Sequence, residues 1–138
     1  MVDKLDYKII EVLSEDGRAS YAEIGRKIGL SSSSVRERMQ RLTDTGVIQK
    51  FSIELNHSLL GNHLKAFILI KLFPNNLRKF LSIVNQLEGV QNSHRITGSH
   101  NILMKVVLRD HLHLQSFLDQ IMIYGDTTTY IILSEIEN

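Results

Sequence analysis

The segment from Ser20 to Ile48 constrains the fold of this chain most, because its residues predict two short helices joined by a tight turn. It reads SYAEIGRKIGLSSSSVRERMQRLTDTGVI. Ser20 is a candidate N-cap, and Glu23 stands three residues later, where it could complete a capping box. Gly29 suits the left-handed residue at which a helix ends, and Ser31 suits the cap of the next helix. Two helices separated by about three residues, with glycine in the turn, are typical of a helix-turn-helix motif.

The second of these helices, which Thr45 and Gly46 would close, separates apolar from polar side chains. At 100° per residue, its apolar residues form one narrow stripe that we expect to face the protein core: Val35, Met39 and Leu42. The residues expected to point outward are Ser33, Arg36, Glu37, Gln40 and Arg41, with Ser32 and Ser34 in the first turn. Small hydroxyl side chains at a helix N-terminus allow close approach of a phosphate. Arg and Gln can read guanine and adenine edges in the major groove.

Arg38 lies at the margin of the apolar stripe, and its spacing leaves two roles open. It could bind phosphate, or it could brace the first helix through a carboxylate such as Asp6. The full set of candidate DNA-binding residues is Ser32, Ser33, Ser34, Arg36, Glu37, Arg38, Gln40 and Arg41.

Local charge supports the same interpretation. Residues 26–50 hold six basic and two acidic side chains, a net charge of +4, whereas the whole chain carries only +1. The plainer alternative is a solvated helical face on an ordinary bundle. That alternative explains neither the turn nor the caps nor the concentration of charge, so the segment favours DNA binding.

Composition excludes several other classes. An apolar content of 43% and a charged content of 22% are typical of a folded globular protein. No secretory segment and no apolar run of membrane-spanning length is present, so we expect a cytoplasmic protein with no membrane contact. The absence of Cys excludes disulfides, thiolate catalysis and Cys-based zinc sites. The histidines have no metal-ligand spacing; His111 and His113 would point 200° apart on a helix.

The rest of the chain predicts a second, mixed unit. Residues 3–14 read as a first helix capped by Asp3, and residues 47–55 as an extended segment. Strands are then expected over 66–73, 90–97, 102–108 and 128–134. One helix, with Asn76 as its expected cap, follows the first strand, and a second, capped by Asp110 and ended by Gly125, follows the third. The predicted fold is α+β: an N-terminal helix-turn-helix (winged-helix-like) domain and a C-terminal ferredoxin-like βαββαβ domain. The expected boundaries are 1–50, a linker strand over 51–63, and 64–138.

A ferredoxin-like sheet has helices on only one face, yet the strand over 66–73 is apolar on both. A sheet solvated on one side should alternate apolar and polar residues. We therefore expect the open face to be buried against a second copy, making a homodimer. Aspartate at Ile68 or Ile70 is expected to disrupt that dimer. The polar strand over 90–97 is expected at an edge.

Over nearly its whole length, the chain resembles the Lrp/AsnC, or feast/famine, transcriptional regulators. The family opens with an Asp-containing helix, here LDYKIIEVL, followed by DGR. It continues with LS-(small)-S-x-V-x-x-R-x-x-x-L-x-x-x-G-V-I, here LSSSSVRERMQRLTDTGVI, and has a Leu-Gly pair, here Leu60-Gly61. The second domain has a Thr-Gly turn, here ITGSHNILMKV, and a closing T-x-T strand, here TTTYIIL.

The resemblance implies a regulator of transcription that binds double-stranded DNA and works as a dimer. It implies that the segment near residues 51–55 pairs with its partner, and that dimers assemble further, commonly to octamers. It implies no cofactor, but a small effector, usually an amino acid, bound between dimers. The implied effector contacts are Gly98, Ser99, His100, Asn101, Thr127 and Thr129.

The implied effector site departs from the family in one respect. Many members have acidic residues where Ser99 and Asn101 stand, and an acid would suit an α-ammonium group. The alternative for this turn is a plain hairpin connection. Turn N–H groups could nevertheless hold a carboxylate.

Two other functions remain open at this stage. Siroheme decarboxylases resemble this architecture, but such an enzyme should have a basic cavity rich in histidine and aromatic residues, and this chain has no Trp. The other alternative is an architectural DNA binder that responds to no effector. No phosphate-binding loop, nucleophile motif or other catalytic set is present, so we expect no enzymatic activity.

Overall fold

The computed structural model describes residues 1–137, which form two compact units. The first runs from Met1 to Glu54 and the second begins at Leu55. Within residues 1–137, no helix is both long enough and apolar enough to cross a membrane.

The N-terminal unit consists of three helices: α1 (Lys4–Glu15), α2 (Tyr21–Ile28) and α3 (Ser32–Asp44). Their small core is formed by one apolar stripe from each helix: Ile9, Ile24, Val35, Met39 and Leu42. The two predicted helices of the motif and the helix before them are confirmed. Gly29 ends α2 with a φ of +79°, as predicted.

Side-chain caps begin each of these three helices. Asp3 and Asp6 form a reciprocal capping box at α1. Ser20 Oγ accepts a hydrogen bond from the backbone N–H of Glu23 at 3.1 Å, but the predicted return bond from the Glu23 carboxylate is not formed. The Ser31 cap is confirmed, since Ser31 Oγ accepts from the N–H of Ser34 at 3.2 Å.

The segment after α3 differs from the prediction. Residues 45–63 contain no strand, and His57–Leu60 form a short 3-10 helix. An extended segment becomes a strand only when its N–H and C=O groups pair with a neighbour. Among the residues that the structure describes, no strand pairs with residues 51–62, and only His63 at the end of the segment donates its N–H to another segment, at the carbonyl of Arg109. No linker strand is therefore formed within one chain.

The C-terminal unit has the predicted βαββαβ order. Its elements are β1 (Leu64–Leu72), α4 (Leu77–Ile83), β2 (Val90–Arg95), β3 (Ile102–Leu108), α5 (His111–Ile121) and β4 (Gly125–Ile131). The strands form one antiparallel sheet in the order β2-β3-β1-β4. The ferredoxin-like topology and the edge position of the polar strand β2 are confirmed.

Two local predictions in this unit are wrong. Asn76 precedes α4 but makes no capping bond, because its side-chain Nδ2 donates to the carbonyl of Tyr124 instead. Gly125 does not end α5, which stops at Ile121; it is the first residue of β4. A Cβ on Gly125 would lie 2.4 Å from the carbonyl oxygen of Lys71, so only glycine lets these two strands approach so closely.

The core of this unit lies between the sheet and its helices. It is formed by Ala66, Ile68, Ile70, Phe80, Val84, Ile102, Met104, Val106, Leu108, Phe117 and Ile121. Because Ile68 and Ile70 belong to it, the expectation that their side chains lie between two subunits is wrong. Aspartate at either position would disrupt the core of its own subunit. The β1 side chains on the opposite, open face are Lys65, Phe67, Leu69 and Lys71.

Candidate nucleic-acid interface and ligand turn

Helix α3 separates its side chains as its sequence predicts. Val35, Met39 and Leu42 are buried against α1 and α2. The polar residues predicted to point outward are all exposed: Ser33, Arg36, Glu37, Gln40 and Arg41. With Asp44 they line one shallow, open concavity. The outer side of α3 is therefore available to a partner.

Serine hydroxyls crowd the N-terminus of α3. Ser31 Oγ lies 3.1 Å from Ser33 Oγ and 3.0 Å from Ser34 Oγ. Ser32 and Ser33 are exposed, whereas Ser34 is half-buried. The first turn of α3 contains no acidic residue. Free N–H groups and the helix dipole therefore meet no competing carboxylate there, so the helix end can receive an anion.

Arg38 contacts the start of α1, as the second of its two possible roles requires. Its Nη1 donates to both carboxylate oxygens of Asp3, at 2.7 and 2.8 Å, and to Asp6 Oδ1 at 3.1 Å. Asp6 is 1% exposed, and a buried charge is tolerated only when it is paired. Arg38 therefore braces α3 against α1.

This contact changes the titration of Asp3. The hydrogen bond from the Arg38 guanidinium, followed by the one from the backbone N–H of Asp6, lowers the Asp3 pKa from 3.8 to about 2. The hydrogen bonds that Arg38 donates to the carboxylate of Asp3 and then to that of Asp6 raise the pKa of Arg38. Both shifts favour the charged pair.

Arg41 and Gln40 remain accessible at the centre of the outer side of α3. Arg41 is half exposed, with Nη2 3.8 Å from Asp6 Oδ1. Gln40 Nε2 donates to Asp44 Oδ1 at 2.9 Å. Because a carboxylate only accepts, this contact fixes which end of the Gln40 amide faces Asp44 and leaves the amide oxygen free to accept from a base.

The predicted effector turn is tied to the end of β1. Gly98 has a φ of +111°, a left-handed value that favours glycine. Asn101 donates its N–H to the carbonyl of Ile70 at 2.8 Å and accepts the N–H of Leu72 on its side-chain oxygen at 2.7 Å. The side chain of Asn101 thus holds the turn in place.

His100 connects this turn to β4. Its Nδ1 lies 2.9 Å from Ser99 Oγ, and its Nε2 lies 3.5 Å from Thr128 Oγ1. Sequence reasoning missed Thr128, because the resemblance transfers only the residues on either side of it.

Thr127 and Thr129 lie on the other side of the sheet from Thr128. They pair in register with Ile70 and Ile68, whose side chains face the helices. Within one chain the structure therefore brings Ser99, His100 and Thr128 together, but not the two predicted threonines with the His100 side chain.

The part of the chain that the structure describes contains no group of three or more His, Asp or Glu side chains able to hold a metal ion. His113 Nδ1 instead accepts the backbone N–H of Arg109 at 3.1 Å.

A helix-turn-helix unit with an open polar helix face, followed by a ferredoxin-like α/β unit, defines a class of two-domain DNA-binding regulators. Residues 2–43 match the AsnC-type helix-turn-helix domain, and residues 65–138 match the Lrp/AsnC ligand binding domain. The chain belongs to the Lrp/AsnC family of transcriptional regulators.

Individual relatives support this assignment. The chain is 35% identical over 133 residues to YezC, an uncharacterized HTH-type transcriptional regulator of Bacillus subtilis, covering 96% of this chain and 94% of that protein. It is similar to the structure of B. subtilis LrpC, with a TM-score of 0.94, 30% identity and coverage of 99% and 98%. It is also similar to a feast or famine regulatory protein from M. tuberculosis complexed with L-methionine, with a TM-score of 0.93, 28% identity and coverage of 100% and 96%.

Proposed function

We propose that this regulator reads DNA with the outer side of α3 in the major groove. The single observation that carries the proposal is that Arg36, Gln40 and Arg41 share one exposed helix side beside an N-terminus free of acidic residues. Ser32, Ser33 and Ser34 would lie nearest the phosphates, and the Arg and Gln side chains nearest the base edges. Arg38, held by α1, would keep the helix in place. The similar proteins are named as transcriptional regulators, and this favours DNA binding over an enzymatic role.

Substitutions on this helix side test the proposal. Gln40→Ala and Arg41→Ala should each weaken binding to a duplex selected from a random pool by about 1–3 kcal/mol, because each loses a base contact. Only Arg41→Ala should lower the salt dependence of binding, since Gln40 is uncharged. Gel shifts at several salt concentrations measure both effects.

Arg78→Ala is the matched control, because Arg78 is an exposed residue of α4 in the other unit. It removes the same charge and should leave affinity unchanged. Unchanged affinity in both α3 variants, or an equal loss in the Arg78 variant, would contradict the assignment of α3.

We also propose that the working form is a two-fold dimer formed through the open face of the sheet. Four apolar side chains on this face support the proposal: Phe67 and Tyr130 are exposed, and Leu69 and Leu103 are half-buried beside them. A two-fold dimer would read a pseudo-palindrome with half-sites about 34–36 Å apart, or a multiple of that distance.

A small effector, such as an amino acid, is proposed to bind at the turn between dimers that assemble further, up to an octamer. Support comes from the match to a ligand binding domain and from the L-methionine complex of the M. tuberculosis relative. The turn offers the N–H groups of Ser99 and His100 to a carboxylate, and the hydroxyl of Thr128 beside them. Because Ser99 and Asn101 are uncharged, the α-ammonium group of an amino acid would have to donate its hydrogen bonds to neutral acceptors.

Mass in solution, measured by light scattering with each of the twenty amino acids, tests the effector and the assembly together. We expect a mass of several dimers, and thermal stabilisation by one or a few amino acids only. Ser99→Ala should reduce that stabilisation and leave the mass of the free protein unchanged. A monomer would contradict the dimer, whereas an assembly indifferent to all twenty would contradict the amino-acid effector.

A further inference from the structure

The open face of the sheet carries charges among its apolar side chains. Lys65 and Lys71 flank Phe67 and Leu69 along β1, and Lys105 stands opposite Phe67 on β3. Lys71 on β1 stands opposite Asp126 on β4 in the register of the sheet, so the charges of these two residues sum to zero. Lys65 and Lys105 have no acidic neighbour within the four strands.

The chain segment after β4 supplies the missing acid. Glu135 Oε1 lies 3.7 Å from Lys65 Nζ and 3.8 Å from Lys105 Nζ. Lys105 Nζ also lies 5.9 Å from the centre of the Phe67 ring. Glu135 thus places one carboxylate between two ammonium groups near the end of the apolar surface where β1 begins.

We propose that Glu135 is a positioning residue of the self-association surface: its carboxylate neutralises Lys65 and Lys105 so that the open face can pack against a second copy. This inference rests on the proposed dimer. With Glu135, the five charged residues of the face sum to +1 in each chain; without it they sum to +2. In a two-fold interface the same charge faces itself, so losing Glu135 adds repulsion as well as leaving desolvated ammonium groups unpaired.

Charge also indicates why the occupant is a second copy rather than an acidic partner. Because Glu135 engages both Lys65 and Lys105, the face presents little net charge to a nucleic acid or an acidic peptide. Lys71 and Asp126 give it one residue of each sign at its other end, which a two-fold related copy can match in reverse.

Glu135→Gln tests the inference, with Glu137→Gln as the matched control. Both variants remove one negative charge from exposed positions near the end of the chain, so neither should unfold the protein. Glu137 makes no ion pair within the described residues. Analytical ultracentrifugation at low salt should show the dimer dissociation constant of Glu135→Gln raised by about tenfold or more, with that of Glu137→Gln unchanged. The double variant Glu135→Gln/Lys105→Met restores the charge balance and should recover the wild-type constant.

The outcomes separate this inference from the dimer itself. A dimer weakened equally by both single variants, or by neither, would overturn the role of Glu135 and leave the dimer standing. A double variant as weak as Glu135→Gln would also overturn it, because the loss would not depend on the lysine charge. A wild-type chain that is monomeric throughout would overturn the dimer and, with it, the role of Glu135.

Discussion

At the scale of single residues, Arg38 differs from the other basic side chains of α3 because the carboxylates of Asp3, the cap of α1, and of Asp6 both accept hydrogen bonds from it. Its position in the sequence allowed a phosphate contact equally well. Asp3 lies 35 residues away along the chain, so only the packing of α1 against α3 brings the groups together. Arg36 and Arg41 were predictable as exposed residues from helical spacing alone. The role of Arg38 was not.

The Asp3–Arg38 contact has a measurable consequence for pH. The Asp3 pKa is about 2 in the folded protein, whereas its ordinary value, expected in the unfolded chain, is 3.8. The contact therefore stabilises the fold fully above about pH 4. That contribution is lost as the pH falls from about 4 through 2. Carboxyl NMR titration should give a midpoint for Asp3 near 2, and Arg38→Ala should move it up towards the ordinary value.

Arg36→Ala serves as the control for this titration, since Arg36 is exposed and makes no ion pair within residues 1–137. It should leave the Asp3 midpoint where it is in the wild type. An ordinary midpoint in the wild type, or a shift of equal size in both variants, would contradict the contact.

At the scale of elements, signals within one or two turns of chain were predictable. Three predicted caps are formed within the adjacent turn of chain: Ser31 and Asp110 begin helices, and Gly29 ends one. Predictions failed where a contact with a residue distant in the chain determines the local structure. Asn76 bonds to the carbonyl of Tyr124, 48 residues away, and Gly125 is required by the approach of β1.

Gly25 gives the clearest test of an element contact. It lies buried in α2, where an added Cβ would stand 2.3 Å from the carbonyl oxygen of Leu30 in the turn before α3. Gly25→Ala should therefore lower the free energy of unfolding by about 1–3 kcal/mol, because the turn must shift. Urea denaturation of the full chain measures this.

Gly17→Ala is the matched control for this substitution. Its Cβ would meet no atom closer than 3.9 Å, the carbonyl oxygen of Leu13, so stability should change little. Equal stability of the Gly25 variant and the wild type would show that the turn is not packed as described.

At the scale of the whole molecule, the order of elements sufficed to predict the topology of the sheet. Which face of each strand packs against the helices could not be predicted. Because β1 is apolar on both faces, its sequence does not distinguish the core face from the open face. The helices settle it: Ile68 and Ile70 lie beneath them, and Phe67 lies on the open face. Thr128 was missed because the resemblance transfers only its two neighbours, and a shift of one residue changes the face of the sheet.

The central claim is that the outer side of α3 is the surface that binds DNA. Hydrogen–deuterium exchange of the full chain, with and without a duplex selected from a random pool, tests it most directly. We expect DNA to slow exchange across Ser32–Asp44, most of all in the serine-rich first turn, and Arg41→Ala to reduce that protection. Protection confined to the C-terminal unit, with α3 unchanged, would contradict the account.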